Sequence, residues 1–149
     1  MKSETSIGAK TRARELLLQA LYQRQIAGHG ADELLEQFHL QAAYQRVDKH
    51  LFDTLLPAIV AGEPDLNKTI DGLIDRPIEQ LDPVELVTLM IGVYELTSSP
   101  EVPYRVVINE GVNLAKRFGA IDGHKYINAC LDKAANSLRA EEVESKRGG

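Results

Sequence analysis

The first predicted helix carries a polar face whose residues could do chemistry. At about 3.6 residues per turn, an arc of about 100° opposite the apolar stripe of this helix contains Arg12, Glu15, Gln19, Tyr22 and Gln23. Lys10 and Arg14 flank the arc. Cations beside an aromatic ring and two amides could bind the phosphates and bases of RNA. An ordinary solvated helix face would have a similar composition, so the pattern leaves both interpretations open.

A second group of basic and aromatic residues lies where one predicted helix ends and the next begins. The group comprises Lys116, Arg117, Phe118, Asp122, Lys125 and Tyr126. The connection is very short, which predicts antiparallel helices and brings the cations close to the two rings. Single-stranded RNA could place phosphates on the cations and unstacked bases on the rings. A structural interpretation is also open, because Phe118 could be a core anchor and basic residues complement a helix C-terminus.

Residues for catalysis or metal binding form no recognisable motif. The four histidines show neither an HExxH motif nor an i,i+4 pair that would place two ligands on one helix face. The sequence has no GxGxxG, Walker lysine loop or GxSxG motif. Cys130 is the only cysteine and lies on an apolar helix face, which predicts a core residue. We therefore expect a non-enzymatic protein without a cofactor or metal.

Length and hydropathy indicate one domain in the cytoplasm. A chain of 149 residues can bury a hydrophobic core without disulfides or metal sites. The first fourteen residues are polar and lack the apolar segment of an export signal. The most apolar stretch, residues 86–94, is too short to span a bilayer. We expect a cytoplasmic protein with no membrane partner.

The net charge of −5 is unevenly distributed along the chain. Residues 1–26 hold five Lys and Arg against two Asp and Glu, residues 27–103 hold four against fourteen, and residues 104–149 hold eight against six. Basic ends and an acidic middle are typical of a protein with one anionic partner and one different partner. The other interpretation is simply an uneven soluble surface.

The elements that position these residues are predicted to be helical throughout. Apolar spacing and start or stop signals predict helices over residues 10–26, 31–38, 48–60, 64–74, 82–97, 103–118 and 122–138. Asp48, Asp82 and Asp122 are predicted N-caps, and Glu85 stands three residues after Asp82. Pro57 predicts a kink or a break. Residues 1–8 and 141–149 are expected to be flexible tails.

Several segments resemble the NusB family. They are Val102–Glu110 and Leu114–Gly119, followed by His124–Asn128 and Leu131–Ala134. The resemblance also includes Arg12-Ala-Arg14 with Gln19–Tyr22 near the start and Tyr94–Leu96 in the centre, so it covers nearly all of residues 10–138.

Membership of this family implies an all-α fold of about seven helices in two packed three-helix sub-bundles. The chain would be a single domain over residues 1–149, with helical halves at about 10–76 and 82–139. The implied function is transcription antitermination. Such a protein pairs with the ribosomal protein NusE to bind single-stranded boxA RNA, and joins other Nus factors in the antitermination complex of RNA polymerase, notably in ribosomal RNA operons.

The resemblance also assigns residues to surfaces. The RNA surface would include Arg12, Arg14, Tyr22, Phe118, Asp122 and Tyr126, which coincide with the two groups above. The NusE surface would include Glu79 and Glu85, in the acidic middle of the chain. Many relatives carry a denser arginine run than residues 10–14 here, which implies weak RNA affinity without the partner.

Two other functions fit parts of the pattern. A NusB-like domain also forms the RNA-binding front of a ribosomal RNA cytosine methyltransferase, but such an enzyme needs a further Rossmann-like domain that 149 residues do not accommodate. A helical protein-interaction adaptor without RNA contact would fit the acidic middle alone. Salt-dependent binding to a boxA oligonucleotide separates this adaptor from the RNA-binding hypothesis.

Overall fold

The protein folds entirely into helices over the part of the chain that the computed structural model describes. This part comprises the backbone of residues 2–148 and the side chains of residues 8–147. The α-helices are α1 Lys2–Ala27, α2 Ala31–His39, α3 Lys49–Ala61, α4 Glu63–Asp71, α5 Pro83–Ser98, α6 Tyr104–Phe118, α7 Gly123–Leu138 and α8 Ala140–Gly148. Short 3₁₀ turns occupy Ala42–Arg46 and Ile78–Gln80. The all-α prediction is confirmed, although eight helices form where about seven were expected.

Contacts within the chain divide it into two compact units, Met1–Glu63 and Pro64–Gly149. The first unit contains α1 to α3, and the second contains α5 to α8, while α4 begins at the boundary. No helix within residues 2–148 is both long enough and apolar enough to cross a membrane.

The core of the first unit forms between α1, α2 and α3. The predicted apolar stripe of α1 is buried and consists of Ala13, Leu16, Leu17, Ala20 and Leu21. Gly28 ends this helix in the left-handed region, with φ +76°, where glycine carries no Cβ penalty. Asp48 caps α3 as predicted, because its carboxylate accepts a hydrogen bond from Leu51 N at 2.9 Å. Pro57 lies inside α3 without ending it, so the predicted break does not occur.

The second unit is built around α5, which is buried along most of its length. The start of α5 has the predicted capping box: the Asp82 carboxylate accepts from Val84 N at 2.7 Å, and Glu85 Oε1 accepts from Asp82 N at 3.3 Å. Two glycines allow α5 and α6 to approach α7 closely. A Cβ at Gly92 or Gly111 would lie only 2.7 or 2.5 Å from Leu131 side-chain carbons.

Residues Ala140–Gly148 are helical, whereas a flexible tail was expected over residues 141–149. They form α8, in which Val143 is buried and Glu142 accepts a hydrogen bond from Tyr104 N at 3.0 Å. Glu142 thereby satisfies a free N–H at the start of α6. Glu142 and Tyr104 are 38 residues apart along the chain, so no local pattern predicts this contact.

Arg139, between α7 and α8, satisfies the carbonyl groups at the end of α5. Its guanidinium donates to the backbone oxygens of Glu95, Leu96, Ser99 and Val102 at 2.7–3.1 Å. It also donates to Glu142 Oε1 at 2.6 Å. These hydrogen bonds fix the connection from α5 to α6, and therefore the position of α6 in the second unit.

Candidate nucleic-acid interface

The predicted polar face of α1 lies on the surface of the first unit. Lys10, Arg12 and Gln19 are exposed, and Tyr22 is 40 % exposed. Glu15 and Gln23, which complete the face, are partly buried. We call the exposed cations and Tyr22 the α1 face. Its ring is accessible enough for a nucleobase to stack on it.

Arg14 lies on the buried side of α1, which contradicts its predicted place beside the α1 face. The residue is only 3 % exposed. It stands three and four positions before the buried Leu17 and Leu18, and residues at these spacings share a helix face. Its guanidinium is therefore not available to RNA while α1 keeps this packing.

Tyr22 lines a groove that α1 forms with the end of α2. The groove has a volume of about 360 Å³ and is lined by Gln19, Tyr22, Gln23, Ile26, Ala27, Phe38 and Gln41. Gln23 Nε2 donates to Gln37 Oε1 at 2.8 Å, which fixes one side of this surface. Sequence reasoning found Gln19, Tyr22 and Gln23 and missed the other residues of the groove. Phe38 and Gln41 could not be found in this way, because only the packing of α2 brings them to Tyr22.

The predicted cation and ring pair at the end of α6 is present. Arg117 Cζ lies 5.4 Å from the centroid of the Phe118 ring, which is partly buried, and Lys116 is exposed. Gly119 ends the helix, and its N–H donates to Ala115 O at 2.9 Å. A Cβ at this position would lie 2.8 Å from the same oxygen, so glycine is required for the tight turn. We call residues 116–126 the α6–α7 junction.

Asp122 does not cap α7 through its side chain, contrary to the prediction. Its backbone is in the left-handed region at φ 68°, and its carboxylate makes no capping hydrogen bond. An N-cap side chain reaches the helix N–H groups from an extended backbone instead. The carboxylate lies 3.4 Å from Lys125 Nζ, and both side chains are exposed. Asp122 therefore lies open to solvent at the junction.

Tyr126 packs against the segment before α5 rather than against the cations of the α6–α7 junction. Its Oη donates to Asp75 Oδ1 at 3.0 Å, and Arg76 Cζ lies 4.6 Å from its ring centroid. Arg76 Nε also donates to Asp75 Oδ1, at 2.9 Å. Burial raises the pKa of Tyr126 to about 12, so the phenol stays protonated at neutral pH. We call Asp75, Arg76 and Tyr126 the Arg76 cluster.

The two predicted partner-binding acids differ in exposure. Glu79 is exposed in the 3₁₀ turn before α5, whereas Glu85 is partly buried in the capping box. Glu85 also lies beside the α6–α7 junction, since a Cβ at Gly123 would be 3.6 Å from Glu85 Oε2. A charge change at Glu85 would therefore act near the junction as well as at the start of α5.

The described side chains offer no cluster of ligands for a metal ion. Among residues 8–147, no three His, Cys, Asp or Glu side chains come together in a suitable arrangement. Cys130 is buried, as predicted, with Sγ 3.8 Å from Leu73 O. Burial raises the pKa of its thiol, which favours the neutral core form over a reactive thiolate.

Comparison with known proteins decides the family. The model of the NusB family matches residues 11–136. The chain belongs to the NusB family. Similar NusB relatives are the transcription antitermination proteins of Burkholderia mallei (strain SAVP1) and Burkholderia pseudomallei (strain K96243). Each is 44% identical over 140 residues, which cover 94% of this chain and 97% of the relative.

A solved NusB structure confirms the expected fold. The structure of Thermotoga maritima NusB superimposes with a TM-score of 0.74 and covers 89% of this chain and 96% of its own. The two sequences are 22% identical, so this likeness speaks to the NusB fold alone.

Proposed function

We propose that this protein is an RNA-binding transcription antitermination factor that binds boxA-type single-stranded RNA together with the ribosomal protein NusE. The observation that carries the antitermination role is the 44% identity, over 94% of the chain, to relatives named transcription antitermination protein NusB. In this role the protein acts by binding, in a complex of RNA polymerase with other Nus factors.

The α1 face supports RNA binding by the first unit. Lys10 and Arg12 are exposed cations that can meet phosphates, and the 40 % exposed ring of Tyr22 can stack on a base. The amides of Gln19 and Gln23 line the same groove as Tyr22 and can form hydrogen bonds with base edges. Together these groups provide both the charge and the base contacts that single-stranded RNA requires.

The α6–α7 junction supports RNA binding by the second unit. Lys116, Arg117 and Lys125 place three cations within ten residues of chain, and Arg117 lies over the ring of Phe118. Asp122 is the exposed exception, and its charge is partly neutralised by Lys125 at 3.4 Å. A carboxylate at such a place can repel phosphates or accept a hydrogen bond from a base.

The acidic middle of the chain supports a second, protein partner. Glu79 is exposed and Glu85 is partly exposed. We assign both to the surface that binds NusE, a role that requires basic groups on the partner. Opposite charges across such an interface mainly accelerate association and select the partner.

Fluorescence anisotropy with a labelled boxA oligonucleotide tests the proposal. The experiment compares boxA with a scrambled RNA of equal composition, with and without NusE, over a range of salt concentrations. We expect tighter binding to boxA, a further gain with NusE, and an affinity that falls with salt as counterions are released. NusE binding without any RNA binding would contradict the proposal and would instead indicate a protein-interaction adaptor.

A further inference from the structure

The Arg76 cluster contains a cation that lies outside both of the groups found in the sequence. Arg76 Cζ is 4.6 Å from the Tyr126 ring centroid, and Arg76 Nε donates to Asp75 Oδ1 at 2.9 Å. The same carboxylate oxygen accepts the Tyr126 hydroxyl at 3.0 Å. Arg76 follows α4 and Tyr126 lies on α7, so the cluster forms only in the folded second unit.

These contacts restrain the guanidinium of Arg76. Asp75 accepts hydrogen bonds from both Arg76 Nε and the Tyr126 hydroxyl. The arginine therefore has little freedom to move away from the Tyr126 ring. The hydrogen bond from Arg76, followed by that from Tyr126, lowers the pKa of Asp75, so the pair stays charged at neutral pH. A preorganised arginine loses less conformational entropy when it binds a ligand.

The restrained guanidinium is also accessible to a ligand. The side chain of Arg76 is 41% exposed, and that of Asp75 is 72% exposed. Arg76 Cζ lies 4.6 Å from the Tyr126 ring centroid, and the exposed part of the side chain leaves room for a ligand beside the guanidinium. Asp75 binds the Nε edge, and no described residue forms a hydrogen bond with the two outer nitrogens.

Charge and shape favour a nucleobase over a phosphate as the group that Arg76 binds. The paired carboxylate of Asp75 cancels much of the attraction that Arg76 would exert on a phosphate, whereas stacking on the guanidinium plane does not depend on net charge. Lys133 of α7 donates to Gly72 O at 3.2 Å and is exposed, so a cation for an adjacent phosphate lies on the same side of α7.

We propose that Arg76 is a base-binding platform, on which a nucleobase of single-stranded RNA stacks against the guanidinium face opposite Tyr126. The proposal rests on the RNA-binding function proposed above and adds to it a residue that neither sequence group contains. The base, the guanidinium and the phenol ring then form three stacked layers.

Substitution of Arg76 by Lys and by Gln tests this role by anisotropy with boxA RNA. Arg76→Lys keeps the charge and loses the planar stacking surface, while Arg76→Gln loses both. We expect both variants to bind about tenfold more weakly than wild type, the effect of losing one base stack. The dependence of affinity on salt should stay unchanged, because no phosphate contact is removed.

An abasic scan of the RNA tests whether a base is the bound group. Each base of boxA is removed in turn, and the loss of affinity is measured for wild type and for Arg76→Lys. Groups in contact show non-additive effects. We therefore expect one position at which base removal weakens wild type about tenfold and weakens Arg76→Lys far less. Additive losses at every position would overturn the proposal.

Arg105 provides a matched control in the same unit. It is exposed, and its Cζ lies 5.7 Å from the Tyr104 ring, so it is another arginine placed over a tyrosine. Arg105→Lys and Arg105→Gln should bind boxA with wild-type affinity. These two variants and the two Arg76 variants should all have the wild-type melting temperature. Wild-type affinity for Arg76→Lys, or an equal loss for the Arg105 variants, would overturn the platform.

The failure of this inference is distinguishable from that of the proposed function. If wild type does not prefer boxA to scrambled RNA, the proposed function fails and the platform fails with it. If wild type prefers boxA and Arg76→Lys keeps full affinity, only the platform fails. A loss confined to Arg76→Gln, together with a shallower salt dependence, would identify a phosphate contact instead.

Discussion

Two arginines of α1, separated by a single residue, face opposite environments. Arg12 is exposed beside Lys10, whereas Arg14 is 3 % exposed on the apolar side of the helix. The same residue type therefore serves two purposes in one helix turn. A solvated guanidinium can exchange water for a phosphate, while a buried one is part of the packing.

Alanine substitution should separate these two roles. We expect Arg12→Ala to weaken RNA binding without changing the melting temperature, and to reduce the slope of log affinity against log salt by roughly 0.7 for the lost phosphate contact. Arg14→Ala should instead lower the free energy of unfolding by roughly 1–3 kcal/mol, because truncation removes the packing of a long buried side chain. Urea unfolding and anisotropy measure both effects. A stable Arg14→Ala protein with weak RNA binding would instead place Arg14 on the RNA surface, as the family resemblance implies.

Asp122 is a second residue whose environment changes its expected role. Because its carboxylate does not cap α7, substitution by Asn removes the charge and the exposed ion pair with Lys125 but no capping hydrogen bond. Asn also tolerates the left-handed backbone at φ 68°. We expect Asp122→Asn to keep the melting temperature and to bind both boxA and scrambled RNA more tightly, most clearly at low salt. Asp132→Asn, an exposed change on α7, is the control. Unchanged affinity for both RNAs would place Asp122 outside the RNA footprint.

At the scale of elements, Arg139 and α8 stabilise the end of α5 and the start of α6. Arg139 donates hydrogen bonds to carbonyl oxygens at the end of α5, and Glu142 accepts one from Tyr104 N at the start of α6. The pKa of Glu142 is lowered, mainly by the hydrogen bond from Tyr104 N and also by Arg139. A carboxylate with a lowered pKa contributes stability above its unfolded pKa, and this stability is lost as the pH falls through the folded pKa.

Glu142→Gln should therefore destabilise the protein in a pH-dependent way. At pH 7 we expect the free energy of unfolding to fall by about 1 kcal/mol, as for a weakened charge-assisted hydrogen bond. The difference from wild type should shrink as the pH falls below about 4.3, the ordinary pKa of a free glutamate, and through the lower pKa of the folded state. Urea unfolding at several pH values measures this difference in the free energy of unfolding. Glu141→Gln, on an exposed residue of α8, should match wild type throughout. A difference that does not vary with pH would exclude the proposed charge role.

The helices were predictable from sequence where their signals are local. The stripe from Ala13 to Leu21, the stop at Gly28 and the capping box at Asp82 each depend on residues within one or two turns. Helix α8 depends on a contact between residues 38 positions apart, and the Arg76 cluster on one between residues 51 positions apart. No local pattern encodes either contact. The burial of Arg14 was accessible in principle, since its spacing to Leu17 and Leu18 places it on the apolar side.

At the scale of the whole molecule, the uneven charge distribution supports the two partners that we propose. The net charge of −5 comes from the middle of the chain, while both ends are mildly basic. We propose RNA contacts at the α1 face and the α6–α7 junction, and NusE contacts in the acidic segment. Glu85 tests whether the two surfaces are separate, because it belongs to the acidic segment and also lies beside Gly123 of the junction.

Glu85→Gln should lower the affinity for NusE more than it lowers stability. Glutamine keeps a side-chain oxygen that can accept the hydrogen bond from Asp82 N, so the capping box should largely persist. Titration calorimetry with NusE measures the affinity, and thermal melting measures the stability. Glu101→Gln, an exposed change in the connection before α6, is the control. If NusE binds the Glu85 variant as well as wild type, Glu85 does not belong to the partner surface.

Read-through of a terminator in a purified transcription reaction tests the central claim most directly. The template carries boxA upstream of the terminator, and the reaction contains RNA polymerase, NusE and the other Nus factors. We expect added wild-type protein to increase read-through, Arg12→Ala to increase it less, and a scrambled boxA to abolish the effect. Equal read-through with and without the protein, or an increase that does not depend on boxA, would contradict the account.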